Sequence, residues 1–138
     1  MTDRYSNIKT GTEISKESLI IDSNIINNYL NSINDSSRVK LNELEKKFIP
    51  PMCIAALSLR GVINKLKIPG GTIHTTQELE FTNSAKTGEK LECIAKLILN
   101  SIRGDWRFLT IAINVTNKEG KNIMYGKSNI MLPHKNKE

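Results

Sequence analysis

Aromatic side chains are scarce, 5% of the chain against 38% hydrophobic residues in all, so any core has to be built from aliphatic groups. Only two cysteines are present, Cys53 and Cys93. Both lie in apolar surroundings with no Cys-x-x-Cys or Cys/His spacing, which reads as two buried free thiols and argues against a disulfide or metal site. No apolar run is long enough to span a bilayer, and the polar start MTDRYSNIKTGTEISKE lacks the apolar centre of a secretory leader. A cytoplasmic protein without membrane contact is the expectation. Gly-rich phosphate loops, Gly-x-Ser-x-Gly and nucleotide fingerprints are also missing. This gives no ground for a metal or cofactor, and none is expected.

The net charge is +6. The basic residues are dispersed, and the densest cluster is the tail His134-Lys135-Asn136-Lys137. A solvated surface is the plain reading, attraction of an anionic ligand the milder functional one, and nucleic acid is not expected as a partner. With 138 residues, no internal repeat and no Gly/Ser/Pro-rich linker, the chain reads as a single domain over 1–138, with 1–12 and 134–138 as loose termini.

The strongest single pattern is PMCIAALSLRGVINKL, residues 51–66. Its apolar residues cover nearly every angle of a 3.6-residue period, which predicts a buried helix. Pro51 suits the first helical turn, and Pro69-Gly70-Gly71 ends the pattern. Upstream, 13–22 reads as a strand, Asp22 as an N-cap, and Ile25, Ile26, Tyr29, Leu30 and Ile33 as one face of a short amphipathic helix. The charged stretch 38–50 predicts at most a short helix. Downstream come four strands, 72–82, 90–102, 106–116 and 122–132, the last two joined by a glycine-bearing hairpin at 118–121. Period-2 counting puts Ile73, Gln77, Leu79 and Phe81 on one face of the 72–82 strand and His74 on the other. Consecutive long antiparallel strands curl, and the 51–66 helix is the natural occupant of the curl. The fold class is therefore α+β: a curved antiparallel sheet of about five strands wrapped around a central buried helix.

Several residues stand out singly. Asp35 lies in Asn34-Asp35-Ser36-Ser37, which suits an Asx turn, and it also suits a water-holding carboxylate. His74 is the only histidine outside the tail; it reads as a hydrogen-bonded strand residue or as a general base. Arg60 and Asn64 interrupt the apolar helix. Arg103, Trp106 and Arg107 cluster at a hairpin tip and read as an exposed turn or an anion contact. Gly61 in mid-helix points to a close helix–strand approach or to room beside the helix.

The order of elements resembles the hot-dog fold. Within it, the residues resemble the MaoC-like dehydratase family, especially its N-terminal-half or noncatalytic-subunit type. Ile49-Pro50-Pro51-Met52 resembles the family's Pro-Pro start of the central helix. Ile73-His74-Thr75-Thr76-Gln77-Glu78 resembles its His-x-x-Gln strand, and Gly88-Glu89-Lys90-Leu91 its Gly-Asp-x-Leu strand opening. Gly120-Lys121 with Tyr125-Gly126-Lys127-Ser128 resembles its last hairpin and strand. The resemblance implies an enoyl-CoA hydratase or 3-hydroxyacyl dehydratase acting on acyl-CoA or acyl-carrier-protein thioesters. It also implies a homodimer, or a heterodimer with a second hot-dog subunit. Catalytic members carry an Asp and, five residues later, a His. Asp35 stands at the first position, but Lys40 stands at the second. A protonated lysine cannot accept the proton a neutral imidazole takes. Two readings follow: a subunit that binds acyl thioester with an incomplete pair, or a self-sufficient hydratase using Asp35 and His74. A hot-dog thioesterase is a third. On this resemblance Pro51, Met52 and Cys53 at the helix start would bind the thioester carbonyl, and Gly61 would leave room for the acyl chain.

Overall fold

The computed structural model describes residues 4–134. β1 (Glu13–Ile20) leads into α1 (Ser23–Ser32), and two 3₁₀ turns follow at Ser37–Lys40 and Glu45–Lys47. Next come α2 (Pro51–Ser58), α3 (Arg60–Leu66), β2 (Ile73–Phe81), β3 (Lys90–Arg103), β4 (Trp106–Thr116) and β5 (Asn122–Pro133). The Asp22 carboxylate caps α1 by accepting from the Ile25 N–H at 2.9 Å.

The five strands form one antiparallel sheet in the order β1-β3-β4-β5-β2. The order departs from consecutive pairing: β2 crosses to the far edge and pairs with β5, so β1 and β2 are the two edges. The inner face packs on α2 and α3 through fully buried aliphatic residues, among them Leu91, Leu97, Ile111, Ile113 and Met124, and through Ile54 and Val62 from the helices. Ser58 is buried beside them, its hydroxyl donating to the Ala55 carbonyl at 2.6 Å.

The expected single helix 51–66 is divided at Leu59 and is not buried all round. Cys53, Ile54, Ala55, Val62 and Leu66 face the sheet, whereas Met52 and Ile63 are half exposed and Arg60 and Asn64 lie in solvent. One sheet curls around only part of a helix, so the apolar remainder stays uncovered in a single chain.

Gly61 is a point of close approach. A Cβ there would lie 2.8 Å from Glu17 Cδ and 3.0 Å from Ser15 Oγ, both on β1. Gly61→Val is expected to destabilise the fold by about 1–3 kcal/mol through overpacking. The loss should shrink in a Glu17→Ala background, because the two sites share that contact. Equal losses in both backgrounds, measured by urea denaturation, would show that β1 does not set the glycine.

Residues 4–12 are not a loose terminus. They run along β3 where β1 stops: the Gly11 N–H donates to Leu97 O at 2.7 Å and the Leu97 N–H to Thr12 O at 3.0 Å. Asn100 Nδ2 donates to the carbonyls of Tyr5 and Ile8 at 2.9 and 3.1 Å. Tyr5 Oη donates to Leu66 O at 3.0 Å. Arg107, expected at an exposed tip, is buried under this strap and donates to Asn100 Oδ1 and Ser6 Oγ. Leaving backbone groups of a long strand unpaired is costly, and the strap satisfies them. At the other end, the His134 N–H donates to Asp105 O at 2.6 Å, while 135–138 lie outside the described residues.

Candidate active site

The loop after α1 builds the region around Asp35. Asn34 takes φ +57°, a left-handed conformation asparagine tolerates, and the Asp35 N–H returns to Leu30 O at 2.9 Å. Asp35 Oδ1 accepts from the Ser37 N–H at 2.9 Å, which is an Asx turn. Hydrogen bonds from the Ser37 side chain and backbone hold this carboxyl below its ordinary range. It stays exposed and ionised. Lys40 ends the first 3₁₀ turn in solvent.

Two residues not singled out in the sequence lie near Asp35 here. Burial raises the Tyr29 hydroxyl, with Cys53 and Asp35 adding to the shift. Arg38 donates through Nη1 to Phe48 O at 3.1 Å and through Nη2 to Lys46 O at 2.6 Å, tying the two ends of the 38–48 segment together. Burial raises the Cys53 thiol and the Arg38 charge opposes that shift. Asp35 and Arg38 line one open cleft beside α1, and Tyr29 and Cys53 lie near enough to feel their charges. Tyr29 had been legible only as part of an apolar helix face, and Arg38 only as one of a mixed run of charges.

At the α2 start, Pro51 and Met52 are exposed and Cys53 is fully buried. The Cys53 N–H donates to Pro50 O at 3.0 Å. The space over Gly61 is taken by Glu17 and Ser15.

His74 lies on edge strand β2, exposed, and no hydrogen bond or ion pair among the described residues joins it to Asp35. Its face differs from the period-2 expectation. The register runs His74 opposite Ile130, then Thr76 opposite Asn129, leaving Thr75 as a bulge. Directly opposed residues share a face. Ile130 and Ser128 are both on the inner side of β5, so His74 and Gln77 lie on the same face, with Leu79 and Phe81, and Ile73 lies opposite. A bulge shifts the alternation by one.

Among the described residues no group of His, Cys, Asp or Glu could hold a metal ion, and no helix is long and apolar enough to cross a membrane.

A five-stranded antiparallel sheet curled over a central helix is the hot-dog fold. It belongs to the FAS1-like dehydratase domain region, whose family model matches residues 9–125. No curated protein matches the sequence. Among solved structures it is similar to the unliganded R-hydratase PhaJ1 from Pseudomonas aeruginosa: TM-score 0.75, 20% identity, covering 95% of this chain and 86% of that one. The MaoC-like dehydratase from Rhodospirillum rubrum gives a TM-score of 0.74 at 15% identity over 96% of this chain and 97% of that one. The HadBC 3R-hydroxyacyl-ACP dehydratase complex from Mycobacterium tuberculosis gives 0.69 at 13% identity over 87% and 98%. At these identities the likeness to solved structures is one of fold.

Proposed function

We propose that the chain is an acyl-thioester-binding subunit of an enoyl-thioester hydratase or 3-hydroxyacyl-thioester dehydratase, working with a second hot-dog chain that supplies the acid–base pair. The observation that carries this reading is the local environment of Asp35. One of its carboxylate oxygens is held in an Asx turn with Ser37, the residue is exposed, and the position five residues on is the exposed Lys40. A general base needs a proton acceptor held within reach of the reacting water, and this loop offers none besides Asp35.

The dehydratase family supports the substrate class. At the helix start the Cys53 N–H is already engaged, which leaves the Met52 N–H as the donor for a thioester carbonyl. The edges support pairing through β2. β1 carries Glu17, whose side chain meets α3 on the inner face, and a charge turned inward discourages further strand addition. β2 carries no inward carboxylate, and the inner face of this edge strand includes the apolar Leu79 and the partly exposed Phe81.

A self-sufficient hydratase is the second reading, favoured by the bulge at Thr75, which turns His74 to the inner face. In a β2-paired dimer His74 would then stand at the junction of the two chains. The readings separate by activity. Purified chain alone should not hydrate crotonyl-CoA, and turnover should appear on co-expression with a hot-dog chain bearing an Asp and His pair. Turnover by the chain alone that vanishes in His74→Ala would establish the second reading.

A further inference from the structure

Every residue of β2 except Leu79 is exposed, on both faces of the strand, and one side of β2 has no neighbouring strand. A bare edge of this length, with the apolar Leu79 and Phe81 on its inner face, invites another strand. Its charges select which one. The chain carries 20 Lys and Arg against 14 Asp and Glu, yet β2, IHTTQELEF, holds two glutamates and no Lys or Arg.

Glu78 lies opposite Lys127 in the register, and Glu80 lies opposite Tyr125. Ser128 points inward, so both glutamates stand on the outer face, adjacent along the strand. Neither carboxylate forms an ion pair or a hydrogen bond among the described residues. Lys127 is a cation across from Glu78; Glu80 has none directly opposite.

This arrangement penalises pairing with a second copy. Two β2 strands joined antiparallel about a twofold axis set Glu78 against Glu78, Glu78 against Glu80, or Glu80 against Glu80 when the axis passes through Glu78, Leu79 or Glu80. An axis through Gln77 leaves the two Glu78 side chains as diagonal neighbours. An axis nearer the start of β2 centres the pairing at the Thr75 bulge. Like charges opposite one another destabilise a ladder, and opposite charges stabilise it.

We propose that β2 pairs with the edge strand of a different chain, one that presents Lys or Arg on its outer face opposite Glu78 and Glu80, with an aliphatic residue between them to meet Leu79. Glu78 and Glu80 then act as a partner code that disfavours the homodimer. The proposal rests on the reading above in taking β2 as the pairing edge and a second hot-dog chain as the partner; it does not depend on the thioester.

A charge-reversed copy of the full chain, Glu78→Lys with Glu80→Lys, serves as the probe, because it carries lysines at the opposing positions in the same fold. In sedimentation equilibrium at low salt, wild type alone and the reversed copy alone should associate weakly. Their mixture should form one-to-one dimers about tenfold more tightly than either alone. Glu78→Gln with Glu80→Gln should also self-associate about tenfold more tightly than wild type, through loss of two like-charge pairs. Salt at about 0.5 M should shrink both differences, since exposed charges are screened. Glu119→Gln, in the β4–β5 hairpin, should change nothing. Both glutamates are exposed, so the variants should unfold in urea where the wild type does. A wild-type homodimer as tight as the neutralised one, or a mixture no more associated than its parts, would overturn the proposal. Such a homodimer that binds crotonyl-CoA would leave the acyl-thioester reading standing. Mixed dimers with no affinity for crotonyl-CoA would uphold the code and overturn that reading.

Discussion

Leu97→Ala is expected to cost about 2–5 kcal/mol, and Leu99→Ala only a few tenths to about 1 kcal/mol. The two leucines are two residues apart on one strand, so simple alternation puts them on the same face. They are not. Leu97 pairs with Ile111, whereas Leu99 pairs with Thr110, and Ile98 is the extra residue between them. Leu97 has 0% of its surface exposed and Leu99 has 41%. Leu97 also lies where β1 gives way to the N-terminal strap, since its N–H and C=O both bond to residues 11 and 12. Truncating it leaves a cavity in the packed interior that rigid strands on either side cannot collapse into. A loss of that size is a large share of the roughly 5–15 kcal/mol typical of a whole domain. Urea denaturation of both variants decides the matter; equal losses would place the bulge elsewhere.

Above about pH 8.5, the ordinary range of a cysteine thiol, stability should fall for the wild type more steeply than for Cys93→Ala. The Cys93 thiol is pushed up to about 12, mainly by burial and further by the Glu17 carboxylate. Its Sγ donates to Ser58 O at 3.5 Å. The folded state therefore keeps the proton while the unfolded chain gives it up. A pKa raised on folding contributes stability that is fully present below the unfolded pKa and lost as pH rises toward the folded one. Across that window the gap between wild type and variant should close by up to about 1.4 kcal/mol per pH unit. Other titrating groups, Cys53 included, are common to both proteins and drop out of the difference. Parallel stability curves from pH 7 to 11 would contradict the burial of Cys93 against α2 and β1. At neutral pH the same burial predicts that neither thiol reacts with a disulfide reagent until the chain unfolds.

The bulges explain what the sequence could and could not disclose. Strand existence and length were legible in β3, β4 and β5 from alternation, and the N-cap at Asp22 from its chemistry. Which face a residue occupies was not, wherever an extra residue intervenes. β1 carries one at Ile14, β2 at Thr75, β3 at Ile98 and β5 at Ile123. No residue type announces any of them, since all four are ordinary strand formers. This is why Ile123 and Met124 are both fully buried in succession, and why His74 moved to the face of Gln77.

Crossover of β2 to the far edge was equally hidden, because pairing partners depend on the connection over α2 and α3 and not on β2 itself. The strap over β3 was masked by its polarity. Residues 4–12 look like solvent-exposed chain, but their backbone groups and the Asn100 and Arg107 side chains complete a hydrogen-bond network. For the site, Asp35 and its Asx turn followed from Asn34-Asp35-Ser36-Ser37. The proximity of Tyr29 and Arg38 to it did not, because neither lies at a spacing that distinguishes a site residue from a helix face or a charged loop. Gly61 had two explanations in the sequence, and the geometry favours close approach of β1.

The central claim is that this is a dehydratase-family fold without its own acid–base pair. It is tested most directly by the rate of crotonyl-CoA hydration by the purified chain alone, wild type against Asp35→Asn. Both should be indistinguishable from buffer, with the wild type nonetheless binding the thioester in a parallel titration. Robust turnover by the wild type that Asp35→Asn abolishes would contradict the account and make Asp35 a catalytic residue of a self-sufficient enzyme.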